Sequence, residues 1–303
     1  MVTTAADIGV LMAAVATPYD ADGEVDMGLL TALVDDYAKR GVEGIYCCGS
    51  SGEGLLLSPD ERTAVVETVV AASEGRLPVV AHVGALSTRE AIALAQRAEQ
   101  AGASALSMIP PIYYSFDAET IVAHYRAVLD AVDLPLIVYN IPQFTGTEFD
   151  VVTAGALLDD PRVIGIKQTA HNMYALERMK AAYPDKAYIN GFDEVYVPAV
   201  AAGARGTIGT TVGLQIELFR AARSLLDAGD LPAAQRVQRR INHVISELVA
   251  VDVFPAAKYL SGRSAGGAGV LGDCRMPFRP LTADDRIRLD RLAETLDGYL
   301  AEL

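Results

Sequence analysis

Cysteine is scarce in this chain: Cys47, Cys48 and Cys274 are all there is in 303 residues. An odd, sparse set with one adjacent pair is neither a disulfide framework nor a zinc site, and it reads as buried thiols in a reducing compartment. Histidine is nearly as rare. His82, His124, His171 and His243 show no HxxxH spacing or other clustering, so no metal site is expected. Basic charge is also short, with 25 Lys and Arg against 39 Asp and Glu and a formal net charge of −14. Such a balance lacks the electrostatic footprint of a nucleic-acid binder and does not suit docking on anionic membranes. No Lys or Arg precedes Lys39, so the apolar run near the N-terminus lacks the positive flank of a signal peptide and reads as a strand. No uninterrupted apolar stretch has the length of a membrane span. The absences together lead us to expect a cytoplasmic protein whose partner is a small molecule, not nucleic acid or membrane.

What the chain does have is a hydrophobic content of 51% with charges interspersed, enough for a large core and against disorder. Short apolar runs alternate with helix-length periodic segments. The runs are GVLMAAVA (9–16), GIYCC (44–48), PVVAHV (78–83), ALSMIP (105–110), PLIVYN (135–140), VIGIKQ (163–168), AYING (187–191) and GTIGT (206–210). Continuous apolar runs suit strands buried on both faces, as in parallel sheets. Between them, Leu30, Leu33, Val34, Tyr37 and Ala38 fall on one face of a helix over 28–40, and the segment 118–132 repeats that spacing. Ser58-Pro59-Asp60-Glu61 and Ser87-Thr88-Arg89-Glu90 are helix starts, while Gly41 and Gly102 stand where helix ends place glycine.

Eight strands each followed by a helix predict an α/β fold, a closed (β/α)8 TIM barrel. The rival, a doubly wound open sheet, usually has fewer strands, and no GxGxxG follows the first one. Past residue 225 strand signals stop. Segments 230–251, 255–261 and 282–302 look helical, the last capped at Thr282, with a glycine-rich loop over 264–272. The predicted organisation is a barrel over 1–225 carrying the active site and a C-terminal helical extension over 226–303.

A barrel of this kind works at the C-terminal ends of its strands, so the polar residues that end the apolar runs are the candidates. Lys167 ends the sixth run. Placed where water is scarce, an ammonium is disfavoured and the neutral amine is free to attack a ketone; the competing reading is a lysine that snorkels from a strand end to solvent. Tyr139 ends the neighbouring run, beside Lys167 in a barrel. A phenol there can shuttle the protons that carbinolamine formation and dehydration require, or simply be a buried tyrosine. Gly49-Ser50-Ser51-Gly52-Glu53 reads either as an anion cradle, in which hydroxyls and amides hold a carboxylate, or as a tight strand-to-helix turn. It lacks the GK[ST] ending of a nucleotide loop. Asp193 and Glu194 open a helix and also fit the favourable acidic first turn of any helix.

In this order, GSSGE (49–53), YNIP (139–142) and GIKQT (165–169) resemble the dihydrodipicolinate synthase and N-acetylneuraminate lyase superfamily of class I aldolases, over about Gly9 to Pro280. Within it, AHVG (81–84), YYSF (113–116), NGFDE (190–194), GTIGTT (206–211) and CRMPF (274–278) look most like N-acetylneuraminate lyase. Dihydrodipicolinate synthases typically carry an arginine two residues after YN-x-P; here Gln143 and Phe144 follow. The usual Ser-Thr or Thr-Thr pair is Ser50-Ser51, and Thr210 stands where the lyase often has serine. The resemblance implies a TIM barrel, a homotetramer and no metal or organic cofactor. It implies retro-aldol cleavage of N-acetylneuraminate to pyruvate and N-acetylmannosamine through a Schiff base on Lys167. Tyr139 would move protons, Ser50 and Ser51 hold the keto-acid carboxylate, and Thr169 orient the C4 hydroxyl. Gly191, Asp193, Glu194 and Thr210 would bind the sugar portion. Ser51 also counts among the expected catalytic residues, as does Tyr113, which matches a residue that completes the site from a neighbouring subunit in the synthases. Alternatives are a 2-keto-3-deoxy sugar acid aldolase, 4-hydroxy-tetrahydrodipicolinate synthase, or a non-catalytic keto-acid-binding regulator.

Overall fold

Every one of the eight apolar runs becomes a strand in the computed structural model, which describes Thr4, residues 6–264 and residues 270–303. They are β1 (Leu11–Ala14), β2 (Gly44–Cys47), β3 (Val79–His82), β4 (Ala105–Met108), β5 (Leu136–Asn140), β6 (Val163–Gln168), β7 (Ala187–Asn190) and β8 (Gly206–Gly209). All neighbours pair in parallel, and β8 pairs with β1 through Met12 and Ile208, which closes the barrel. The open-sheet alternative is thereby excluded.

The helix signals carry through locally. Ser58 and Glu61 form a reciprocal capping box at the start of Pro59–Ser73, as do Thr282 and Asp285 at the start of Ala283–Ala301. The Ser87 hydroxyl accepts from the Glu90 amide at the start of Thr88–Ala101. Gly41 and Gly102 both cap their helices in the left-handed region, at φ 88 and 89°, where a Cβ is penalised. The helix expected over 118–132 stops at Leu129 because Asp130 and Ala131 tighten into a turn; Val132 is buried all the same.

Two cores result. One fills the layer between strands and helices, with Leu106, Val138, Ile166 and Phe219 among its members. The other plugs the barrel interior with Met12, Val80, Ile137, Ile189 and Ile208. After the last barrel helix, Ile216–Asp227, the chain continues as Leu231–Val251, Val253–Ser264 and Ala283–Ala301. These helices are no appendage. Ile241, Val244, Leu248 and Leu289 belong to the same outer core as the barrel. Of the expected glycine-rich loop over 264–272, Ser264 ends a helix and residues 265–269 lie outside the described residues.

Candidate active site

The site begins with an irregularity in β6. Leu136 pairs with Val163 but Ile137 pairs with Gly165, so the register skips Ile164. Such a bulge rephases the side chains that follow it. Tyr139 then faces Lys167 as a direct partner across the two strands.

Lys167 is only 4% exposed. Its Nζ lies 3.9 Å from the centre of the Tyr139 ring and 4.3 Å from that of Tyr46, so a cation there rests on two π faces. The sequence reading missed Tyr46, on β2, and His82, on β3. Both are buried in the interior, and their rings meet Tyr139 nearly perpendicularly at 6.0 Å, which gives the amine an aromatic enclosure. A polar residue inside an apolar strand was the available signal. Tyr46 donates to Ser107 Oγ at 3.2 Å, and burial, reinforced by Tyr139, pushes its phenol well above the usual range. Burial, then the nearby charges of Arg62 and Lys167, pulls His82 well below the usual imidazole range, so its ring is neutral.

Ser50 and Ser51 lie above the amine on the loop after β2 and line the same cavity. Ser51 Oγ shares a hydrogen bond of 2.7 Å with Thr210 Oγ1, and the buried Thr17 hydroxyl donates to the Gly52 carbonyl at 2.7 Å. Among the described residues no acceptor is bonded to the amides of Ser50 and Ser51. Two free N–H groups beside two hydroxyls suit a carboxylate. Glu53, read as part of this cradle, turns away from it into the protein, where it meets Lys258.

Across the cavity stand Thr169, Gly191, Asp193 and Glu194, and Thr210 joins that wall to Ser51. Thr169 Oγ1 is buried without a hydrogen-bond partner, and a buried hydroxyl in that state invites a ligand atom or water. A Cβ on Gly191 would lie 1.8 Å from that oxygen, which is why glycine is needed there.

The two acidic residues do different work. Asp193 is buried, and its Oδ2 accepts from both the amide and the hydroxyl of Thr211, at 2.8 and 2.7 Å. Its carboxylate therefore ties the end of β7 to the end of β8, at a spot where Gly209 leaves room. The Glu194 side chain is about a third exposed at the cavity wall and lies 3.9 Å from His171.

Burial raises the Asp193 pKa to about 6 against the opposing Thr211 bonds. The folded value thus exceeds the unfolded one, so the folded form holds its proton longer. Stability from this group is full below about pH 4 and is lost as pH rises through about 6, a span worth about 3 kcal/mol. Melting curves between pH 4 and 7 should therefore slope less steeply for Asp193→Asn than for the parent; parallel curves would refute the assignment.

Tyr113 is the one expected site residue not brought to the others. It is 89% exposed, in the left-handed region at φ 78°, and stacks edge-on with Tyr114 at 5.0 Å. The site gains residues from elsewhere. Ile245, Val249, Val253 and Phe254, all in the C-terminal helices, line the cavity, so the extension forms part of the site that residues 1–225 were expected to carry. Gln143 and Phe144, after YNIP, line it as well. Among the described residues no three His, Cys, Asp or Glu side chains gather as a metal would need, and no helix is long and apolar enough to cross a membrane.

A closed (β/α)8 barrel with a buried amine on β6, a phenol directly beside it and a hydroxyl-lined cradle above has the architecture of class I aldolases. The chain belongs to the Dihydrodipicolinate synthetase family, whose profile matches residues 7–296. It is 42% identical over 291 residues to an N-acetylneuraminate lyase of Rhizobium meliloti, covering 96% of this chain and 95% of that protein. An N-acetylneuraminate lyase of Lactiplantibacillus plantarum is 37% identical over 260 residues, 86% of this chain and 89% of its own. Among solved structures, wild-type sialic acid aldolase of Ruminococcus gnavus superposes with a TM-score of 0.92 at 28% identity, covering 96% of this chain and 98% of that one.

Proposed function

We propose that this protein is a carbon–carbon lyase that cleaves N-acetylneuraminate to pyruvate and N-acetylmannosamine through a Schiff base on Lys167. The observation that carries this is the Lys167 amine held between the faces of Tyr139 and Tyr46 at the base of a cavity with the Ser50–Ser51 cradle on one side and Thr169 on the other.

The Lys167 amine attacks the C2 ketone of the open-chain sugar acid, and Tyr139 gives its phenolic proton to the departing hydroxyl, so that loss of water leaves an iminium and a phenolate. This cation is the electron sink for the next step. Tyr139 takes the proton of the C4 hydroxyl as the C3–C4 bond breaks, which releases the aldehyde of N-acetylmannosamine and leaves an enamine. Protonation at C3 and hydrolysis then return pyruvate and the free amine. The amides and hydroxyls of Ser50 and Ser51 hold the carboxylate, and the unpartnered Thr169 hydroxyl orients the C4 oxygen. Glu194 accepts from sugar hydroxyls alongside Gly191 and Thr210. Asp193, committed to Thr211, chiefly shapes that wall. No metal or organic cofactor takes part.

Two further readings belong with this one. The exposed Tyr113, Tyr114 and Phe116 at the top of β4 support a homotetramer in which Tyr113 reaches a neighbouring subunit's site. Free Cys47, Cys48 and Cys274 support a cytoplasmic location.

The substrate is tested by a panel of N-acetylneuraminate, 2-keto-3-deoxygluconate, and pyruvate with aspartate semialdehyde. Turnover should be fastest with the first. Faster turnover of either other arm moves the assignment to that aldolase, and binding without turnover would make the protein a keto-acid sensor.

A further inference from the structure

Glu53 and Lys258 are 205 residues apart in sequence, yet their side chains form an ion pair of 2.9 Å with exposures of 0 and 2%. Removing two charges from water is costly, and a buried pair is retained only where its remaining polar atoms are also satisfied. Here they are. The second Glu53 oxygen accepts the Arg275 amide at 2.7 Å. The Lys258 ammonium also donates to the Asp273 carbonyl at 3.1 Å and lies 3.9 Å from the centre of the Tyr19 ring.

Three stretches of chain thus meet at one carboxylate: the loop after β2, the helix Val253–Ser264, and the segment around residues 273–275. Glu53 also occupies the left-handed region at φ 55°, which for a side chain of this size is sustained by surrounding contacts. Ser50 and Ser51, three and two residues upstream, line the cavity on one side; Val253 and Phe254, about one turn before Lys258, line it on another.

We propose that the Glu53–Lys258 pair is a positioning device through which the C-terminal extension sets the geometry of the keto-acid cradle. Neither residue touches substrate. The pair clamps the loop that presents the Ser50 and Ser51 amides, and it registers that loop against the helix forming the facing wall. This inference rests on the keto-acid reading given above.

The test uses the full chain with pyruvate as probe. Borohydride trapping at Lys167 is followed against pyruvate concentration in the parent and in Glu53→Gln/Lys258→Met, which removes both charges and so leaves neither buried alone. Aldol synthesis at saturating pyruvate reports the half-saturating concentration of N-acetylmannosamine. The half-trapping pyruvate concentration should rise at least about tenfold, as expected when reacting groups are misplaced on the ångström scale, while the N-acetylmannosamine value stays within about twofold of the parent. Unchanged pyruvate dependence, or equal losses for both substrates, overturns the inference alone. Absence of any adduct in the parent overturns the keto-acid reading and this inference with it. Where the double variant does not fold, Lys258→Arg, which keeps the charge but alters its reach, is read by the same criteria.

Discussion

Lys167→Ala is expected to lower turnover by roughly a thousandfold or more, because nothing else at the site supplies the nucleophile. In the parent protein, pyruvate followed by borohydride should leave one reduced pyruvyl group on the peptide containing Lys167. The variant should carry none. The fold should survive the change. Lys167 rests against the rings of Tyr46 and Tyr139, and among the described residues no carboxylate is left unpaired when it goes. An adduct that persists in Lys167→Ala would show that another amine does the chemistry. A folded variant with parental turnover would remove the Schiff base from the mechanism.

Tyr139→Phe isolates the second half of the machinery. The ring contacts with Tyr46 and His82 are kept and only the hydroxyl is lost. Among the described residues that hydroxyl has no hydrogen-bond partner in the protein, so thermal stability should change little. Turnover should fall by about 10²- to 10⁴-fold, the usual range for a lost general acid–base group. Adduct formation with pyruvate should slow but still go to completion at Lys167, because the nucleophile is intact. Near-parental turnover would mean that water or Tyr46 moves the protons. Complete loss of the adduct would mean that Tyr139 places the amine as well as serving it.

The residues legible from the sequence share one property: their role follows from position along a single element. Lys167 and Tyr139 end apolar strands, and once eight strands are counted the barrel makes the ends of the fifth and sixth strands adjacent. Ser50 and Ser51 sit between glycines in a loop at a strand end, where the backbone can approach a ligand. Residues whose role comes from the third dimension were not legible. Tyr46 and His82 stand out as polar residues within apolar strands, but strands buried on both faces carry no alternation to show that these side chains enter the interior. Ile245, Val249, Val253 and Phe254 look in sequence like the core face of any helix. The two Thr211 donors that hold Asp193 lie 18 residues away, just past the end of β8, and no local pattern shows them.

What the sequence by itself determined is the set of elements and their order. Apolar runs, caps and terminal glycines are local signals, and a strand after each helix leaves a closed parallel barrel as the best packing of this chain. Only the tertiary structure decided which atoms meet. The extra residue in β6 rephases Lys167 against Tyr139, and the return of the C-terminal helices brings Lys258 to Glu53 and completes the cavity. A bulge and an ion pair spanning 205 residues are settled by contacts that form when the barrel closes, and no local pattern encodes those.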